Sequence, residues 1–239
     1  MTAPRVEVQP DAGALATAVA GELLSRLADA QAAGSDPQIA LTGGGIAEAV
    51  HRELARLSPA SGVDWSRVVV WWGDERFVPR DSDDRNARGA REAFLDSVGA
   101  TQVHEMPSTE DAADVDAAAT AYSATVREHG AGEFDVVMLG LGPDGHVASL
   151  FPGHPALDAA GIAVGVTGSP KPPPERVSLT FAALNRARSV WFLVSGEPKA
   201  PAVAAALAPE GDLHATPARG VAGAEETIWF LDHEAASRL

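Results

Sequence analysis

The 239-residue chain has no cysteine, which excludes disulfides, thiolate metal sites and a cysteine nucleophile. No apolar run approaches the ~20 residues that span a bilayer. The first residues, MTAPRVEVQPD, lack the charged-then-apolar order of a secretory signal. The expected location is therefore the cytoplasm, with no membrane partner. Basic residues are scarce: 18 Lys and Arg stand against 33 Asp and Glu, a formal net charge of -15. Nonspecific nucleic-acid binding draws on phosphate neutralisation, so this balance argues against nucleic acid as a partner. It leaves a small anion open, because a pocket needs only local positive potential. No Gly/Ser- or Pro-rich linker divides the chain, and the single Pro-dense run, Gly168 to Pro174, reads as a stiff surface loop. A single domain over residues 1–239 is expected, since a 46% hydrophobic share is enough for one sizeable core.

The apolar residues that are present alternate between two periods. Leu15, Val19, Leu23 and Leu27 recur at helical spacing between Ala14 and Ala33, and Ile46, Val50, Leu54 and Leu57 mark a second helix. Between them, Gln38 to Leu41 reads as a buried strand. Arg67 to Trp72, RVVVWW, has no alternation, as expected for a strand covered on both faces. Helical patterns follow at about 85–98 and 112–129. Strands are predicted at Phe134–Leu139, Ile162–Val166, Arg176–Thr180, Val190–Ser195 and Thr227–Leu231, with an Ala-rich helix at 198–208. This alternation predicts an α/β fold with a mostly parallel sheet and helices on both faces. In such sheets ligands bind outside the carboxyl ends of the strands.

Several polar clusters directly follow predicted strands. Thr42-Gly43-Gly44-Gly45 precedes a helix; it reads either as an ordinary tight turn or as an anion site, where glycines permit close approach and free N–H groups favour phosphate. No Lys-Ser/Thr pair follows it, so a nucleotide P-loop is unsupported. Gly73-Asp74-Glu75-Arg76 follows RVVVWW; it reads either as a solvated loop or, between Trp71, Trp72 and Phe77, as buried charge held for a reason. The third cluster, Gly140-Leu141-Gly142-Pro143-Asp144-Gly145-His146, satisfies G-x-G-x-x-G. Pro152 and Pro155 nevertheless leave no room for the helix that a dinucleotide site requires. It does place Asp144 two residues from His146, an imidazole that can take a proton from water beside a carboxylate that can orient it. Arg176 and Lys199, each near a strand, read singly as solvated charges and together as candidate cations for phosphate. The remaining histidines have no metal-site spacing, and neither HExxH nor GxSxG occurs.

In this order the clusters resemble the glucosamine-6-phosphate isomerase/6-phosphogluconolactonase family, and its lactonase branch in particular. The resemblance rests on WWGDERFVP at 71–79 with Asn86 after it, and on LGLGPDGHVASLFPGHPAL at 139–157. LTGGG at 41–45, RVSLT at 176–180 and LVSGEPKA at 193–200 complete it. It covers about residues 38 to 231. It implies a Rossmann-like three-layer sandwich and hydrolysis of 6-phospho-D-glucono-1,5-lactone in the oxidative pentose phosphate pathway, with no metal and no organic cofactor. The roles it implies are His146 as general base, Asp144 orienting it, Arg76 stabilising developing charge, and Asp74 beside the reacting carbon. Thr42, Gly43, Gly44, Gly45, Arg176 and Lys199 would hold the phosphate. Two positions depart from the family pattern: Ile46-Ala47-Glu48 stands where relatives place Ser or Thr and Pro, and Val147 where Thr is common. The alternatives are an amino-sugar-phosphate isomerase/deaminase and a noncatalytic sugar-phosphate binding protein. The oligomeric state is not legible.

Overall fold

A computed structural model describes residues 3–239. In chain order the elements are β1 (Arg5–Gln9), α1 (Ala12–Ala32), β2 (Gln38–Leu41), α2 (Gly45–Leu57), β3 (Val69–Trp72), β4 (Asp74–Arg76), α3 (Asn86–Ala90), α4 (Asp96–Val98) and β5 (Gln102–Val103). There follow α5 (Val115–His129), β6 (Val136–Gly140), β7 (Ala163–Val166), β8 (Arg176–Leu179), α6 (Phe181–Leu184), β9 (Ser189–Val194), α7 (Ala200–Leu207) and β10 (Glu226–Asp232).

Seven strands form one sheet in the order β1-β10-β9-β6-β2-β3-β5, and every pairing in it is parallel. The central strands β2, β3 and β9 are buried along their whole length, which explains their unbroken apolar sequences. Two helices that cover the sheet start at aspartate caps. Asp11 accepts the Ala14 N–H at 2.8 Å to open α1, and Asp114 accepts that of Ala117 at 2.8 Å to open α5. The α1 stripe of Leu15, Val19, Leu23 and Leu27 is buried as its spacing predicts. Helix α1 packs on α2 and β10, whereas α5 packs on β7 and β8, giving the three-layer α/β sandwich. From α5, the Tyr122 hydroxyl donates to the Trp72 carbonyl and accepts the Trp72 N–H, pairing backbone that short β5 does not reach. Among the described residues no helix is long and apolar enough to cross a membrane.

The structure differs from the sequence patterns in four places. The helix expected over 85–98 is interrupted by a π-helical turn, Arg91–Leu95. The RVVVWW strand starts only at Val69, because Trp65–Arg67 form a 3-10 turn whose cap Asp64 accepts the Ser66 N–H. The GDER segment contains a strand, β4, although three charged side chains give it no apolar signal. It pairs antiparallel with β8, which pairs antiparallel with β7, so these three build a second sheet rather than extend the first. Strands β1 and β5 have no counterpart in the sequence patterns: β1 is an exposed edge and β5 has two residues.

Candidate active site

The chain turns outward in both directions from the middle of the large sheet, running β2-β3-β5 one way and β6-β9-β10 the other. A crevice opens at such a switch point, outside the carboxyl ends of β2 and β6. There lies a cleft of about 270 Å³ lined by Thr42, Gly43 and Gly44 after β2, Asp74 and Arg76 from β4, and Leu141, Gly142 and His146 after β6. Arg176, Lys199, Asn86 and Lys171 close its sides. A larger cleft of about 500 Å³ lies at the amino ends of β2, β6 and β9, but its lining is mainly apolar and includes no histidine.

The loop after β6 is shaped around one side-chain pair. The Gly142 N–H bonds to the His146 carbonyl and the Gly145 N–H to that of Gly142, each at 2.9 Å, with Gly145 at φ 83°. His146 Nδ1 then lies 2.5 Å from Asp144 Oδ1. A Cβ on Gly142 would fall 1.9 Å from His146 Nδ1 and 2.3 Å from Asp144 Oδ1, so only glycine leaves space for this pair. An ionised carboxylate can only accept, so Nδ1 carries the hydrogen and Nε2 keeps its lone pair. Burial holds the His146 pKa below the usual imidazole value; the hydrogen bond and charge of Asp144 oppose this, and Lys171 reinforces it. For Asp144, burial pushes upward, but the His146 hydrogen bond and the charges of His146 and Lys171 outweigh it, and the carboxyl stays below its usual range.

Strand β4 sorts the GDER charges by its twofold alternation. Asp74 and Arg76 line the cleft, and Asp74 accepts the Ser149 hydroxyl at 2.6 Å. Glu75 points the other way and is 1% exposed. Its carboxylate accepts the N–H groups of Arg76, Asn86 and Ala87 at 2.8–2.9 Å, fixing the start of α3, with the Arg85 guanidinium 4.0 Å away. Burial raises the Glu75 pKa, and Arg85 and those N–H groups only partly offset it. Asn86, placed by this cap, donates to the Asp74 carbonyl at 3.0 Å and accepts from Arg76 Nη1, whose second partner is the Asp84 carbonyl at 2.8 Å. A Cβ on Gly43 would lie 1.9 Å from Asn86 Oδ1, so the glycine loop closes directly onto this amide.

Arg76 stands directly opposite Arg176 in the β4–β8 ladder. Like charges at paired positions are destabilising, a cost expected where an anion will bind. Burial lowers the Arg176 pKa, with Asp74 opposing and Arg76 adding. Lys199 Nζ donates to the Leu141 carbonyl at 2.6 Å, and burial followed by the charge of Lys171 holds its pKa below the usual lysine value. Thr42 accepts the Gly140 N–H at 3.4 Å through Oγ1.

Of the site residues expected from the sequence, Thr42, Gly43, Gly44, Asp74, Arg76, His146, Arg176 and Lys199 meet in this cleft. Asp144 backs His146 from outside the lining, and Gly45, the first residue of α2, borders the adjoining cleft along with Gly43, Gly44 and Lys199. Sequence reasoning missed Lys171. A signal was available, because only two of the 18 basic residues are lysine, Lys171 and Lys199, and both line the cleft. Ala148, also in the lining, is the one non-glycine among the described residues with left-handed φ, at 48°. No cluster of three or more His, Asp or Glu placed to hold a metal occurs among the described residues.

The chain is similar to known proteins over nearly its whole length. Residues 10–229 match the family model for glucosamine-6-phosphate isomerases/6-phosphogluconolactonase. A 6-phosphogluconolactonase of Streptomyces coelicolor is 44% identical over 248 residues, covering 99% of this chain and 95% of that one. Its counterpart in Mycobacterium tuberculosis is 43% identical over 244 residues, covering 98% of each. A solved 6-phosphogluconolactonase from Trypanosoma brucei superimposes with a TM-score of 0.82 at 28% identity, over 99% of this chain and 98% of that one.

Proposed function

The chain belongs to the glucosamine-6-phosphate isomerase/6-phosphogluconolactonase family, and from that premise we propose that its cleft hydrolyses 6-phospho-D-glucono-1,5-lactone to 6-phospho-D-gluconate, a step of the oxidative pentose phosphate pathway. The observation that carries the mechanism is the Asp144–His146 pair, 2.5 Å apart, set among Arg76, Arg176, Lys171 and Lys199 in a strongly acidic protein. A neutral imidazole supplies the base and the cations supply the local positive potential that a phosphorylated substrate needs.

Nε2 of His146 takes a proton from water as the water oxygen bonds to the lactone carbonyl carbon. Negative charge builds on the carbonyl oxygen, and the Arg76 guanidinium, held by Asn86 and the Asp84 carbonyl, is the cation placed to meet it. The intermediate collapses by breaking the bond from the carbonyl carbon to the ring oxygen. His146 returns its proton to that oxygen, leaving a hydroxyl and a carboxylic acid that ionises in water. Asp144 keeps the ring in the tautomer that exposes Nε2, and Asp74, fixed by Ser149, borders the reacting carbon. The phosphate rests on Gly43, Gly44 and Gly45 at the amino end of α2, beside Lys199, Arg176 and Thr42. With Ile46 following the glycines, backbone N–H groups and Thr42 hold the phosphate without a side-chain hydroxyl at that position. A δ-lactone already opens slowly in water, so base catalysis of about 10²–10⁴-fold plus positioning is sufficient. Water, an imidazole and fixed charges complete this chemistry without metal or organic cofactor.

The test offers both family substrates. Freshly generated lactone should disappear well above its rate in buffer, with no comparable ammonia release from glucosamine 6-phosphate. Ammonia release exceeding lactone hydrolysis would move the chain to the isomerase/deaminase side of the family. Tight 6-phosphogluconate binding without turnover would make it a binding protein.

A further inference from the structure

The Gly168–Pro174 loop is tied to the cleft wall. Arg176 Nη2 donates to the carbonyls of Lys171 and Pro172, each at 3.1 Å, and its Nε to that of Pro173 at 3.2 Å. Ser169 Oγ donates to the Lys171 carbonyl at 2.9 Å and accepts the Lys171 N–H at 3.3 Å. The backbone of Lys171 is therefore fixed on both sides. Its Nζ lies 3.4 Å from His146 Nδ1 and 3.7 Å from Asp144 Oδ1. The Nδ1 hydrogen is already given to Asp144, so the ammonium finds no lone pair at Nδ1 to bond and acts on the ring through charge.

We propose that Lys171 is a positioning residue for the hydrolysis: its ammonium, fixed beside the Asp144–His146 pair, keeps the imidazole neutral so that Nε2 can take a proton from water. The proposal rests on the lactonase reading of this cleft. A carboxylate 2.5 Å from an imidazole favours the imidazolium, which is useless as a base. Asp74, on β4, pulls the same way. Against these stand burial, the Phe151 ring with its centroid 4.6 Å from that of His146, and the Lys171 charge. The other cations of the cleft make their contacts away from this pair. Arg176 lies over Phe151 and binds the loop carbonyls, Arg76 is held by Asn86 and Asp84, and Lys199 donates to Leu141. Lys171 is the cation in contact with the pair itself, and it balances the carboxylate without displacing the hydrogen bond that sets the tautomer.

The experiment follows the histidine ring resonances of the full-length, isotopically labelled protein against pH with no substrate present, assigned with His146→Gln. Lys171→Gln should move the His146 midpoint to higher pH, and Lys171→Arg should return it toward that of the wild type. In the lactone assay, Lys171→Gln should lose severalfold more kcat/KM at pH 6 than at pH 8, because a raised midpoint depletes the neutral imidazole at the lower pH and leaves it nearly complete at the higher. An unmoved midpoint in Lys171→Gln overturns the proposal. So does an equal rate loss at both pH values, which would make Lys171 a contact for the substrate anion instead. The titration needs no turnover, so absence of lactonase activity in the wild type, which would remove the premise, is recognised separately from absence of the Lys171–His146 coupling.

Discussion

His51 and His146 show how two imidazoles in one fold are put to different ends. His146 is part-buried beside a carboxylate, whereas His51, on α2, is 3% exposed and packs against Phe94 with ring centroids 5.0 Å apart and the planes tilted by 31°. Its Nδ1 is buried without a hydrogen-bond partner. Burial, followed by the charge of Arg52, lowers its pKa from 6.5 to about 4. As pH falls below 6.5 the unfolded chain takes the proton first, because the folded chain resists it until about 4. The stability that His51 supports is therefore intact above the upper value, declines between the two, and is lost below the lower. Between pH 7.5 and pH 5 this amounts to about 2 kcal/mol. Urea unfolding of wild type and His51→Leu at both pH values checks it: the wild type should lose about 2 kcal/mol more than the variant. Parallel losses would show that this imidazole does not titrate between folded and unfolded states.

The elements matter because the site is made where they end. The β2–α2 glycine loop, β4 and the start of α3 meet at Asn86, whose amide touches the Asp74 carbonyl, the Arg76 guanidinium and the space beside Gly43. The three glycines are not equivalent. Gly43 has no room for a Cβ and Gly44 sits at φ 98°, whereas Gly45 has an ordinary φ and nothing within 4 Å of the place a Cβ would take. Gly43→Ala should push Asn86 off Arg76 and lower kcat/KM at least tenfold, an effect of about 1.4 kcal/mol on the transition state. Gly45→Ala should stay within about threefold of wild type, since it preserves the backbone N–H that faces phosphate. Equal effects of the two substitutions, measured side by side with circular dichroism as a folding control, would contradict this account. The glycine run and the strand-to-helix change around it were legible in the sequence. The difference between the glycines was not, because it depends on Asn86, 43 residues further along the chain.

At the scale of the whole molecule, the parallel sheet could be read because its central strands are buried on both faces and their apolar runs are unbroken. The second sheet was legible only in β7 and β8, whose strands the sequence patterns place, and not in β4 or in the pairing that separates it from the first. β4 is three charged residues whose only strand character is backbone pairing to β8, a hundred residues away in sequence, and that pairing sets Arg76 against Arg176. The same holds for Lys171: its loop reads as stiff from its prolines, but its placement at His146 depends on Arg176 gripping three carbonyls of that loop. The Asp144–His146 pair lay closest to the surface of the sequence, since two residues of spacing and flanking glycines nearly determine its geometry. Charge is distributed to match, with a cationic cleft in a protein of net charge -15. That this pair activates water for lactone opening is checked by one coupled assay. Lactone is generated with glucose-6-phosphate dehydrogenase, 6-phosphogluconate formation is followed, and spontaneous opening is subtracted for wild type and His146→Ala. Turnover should be fast in the wild type and fall by about 10² or more in the variant. Turnover that survives the substitution would contradict it.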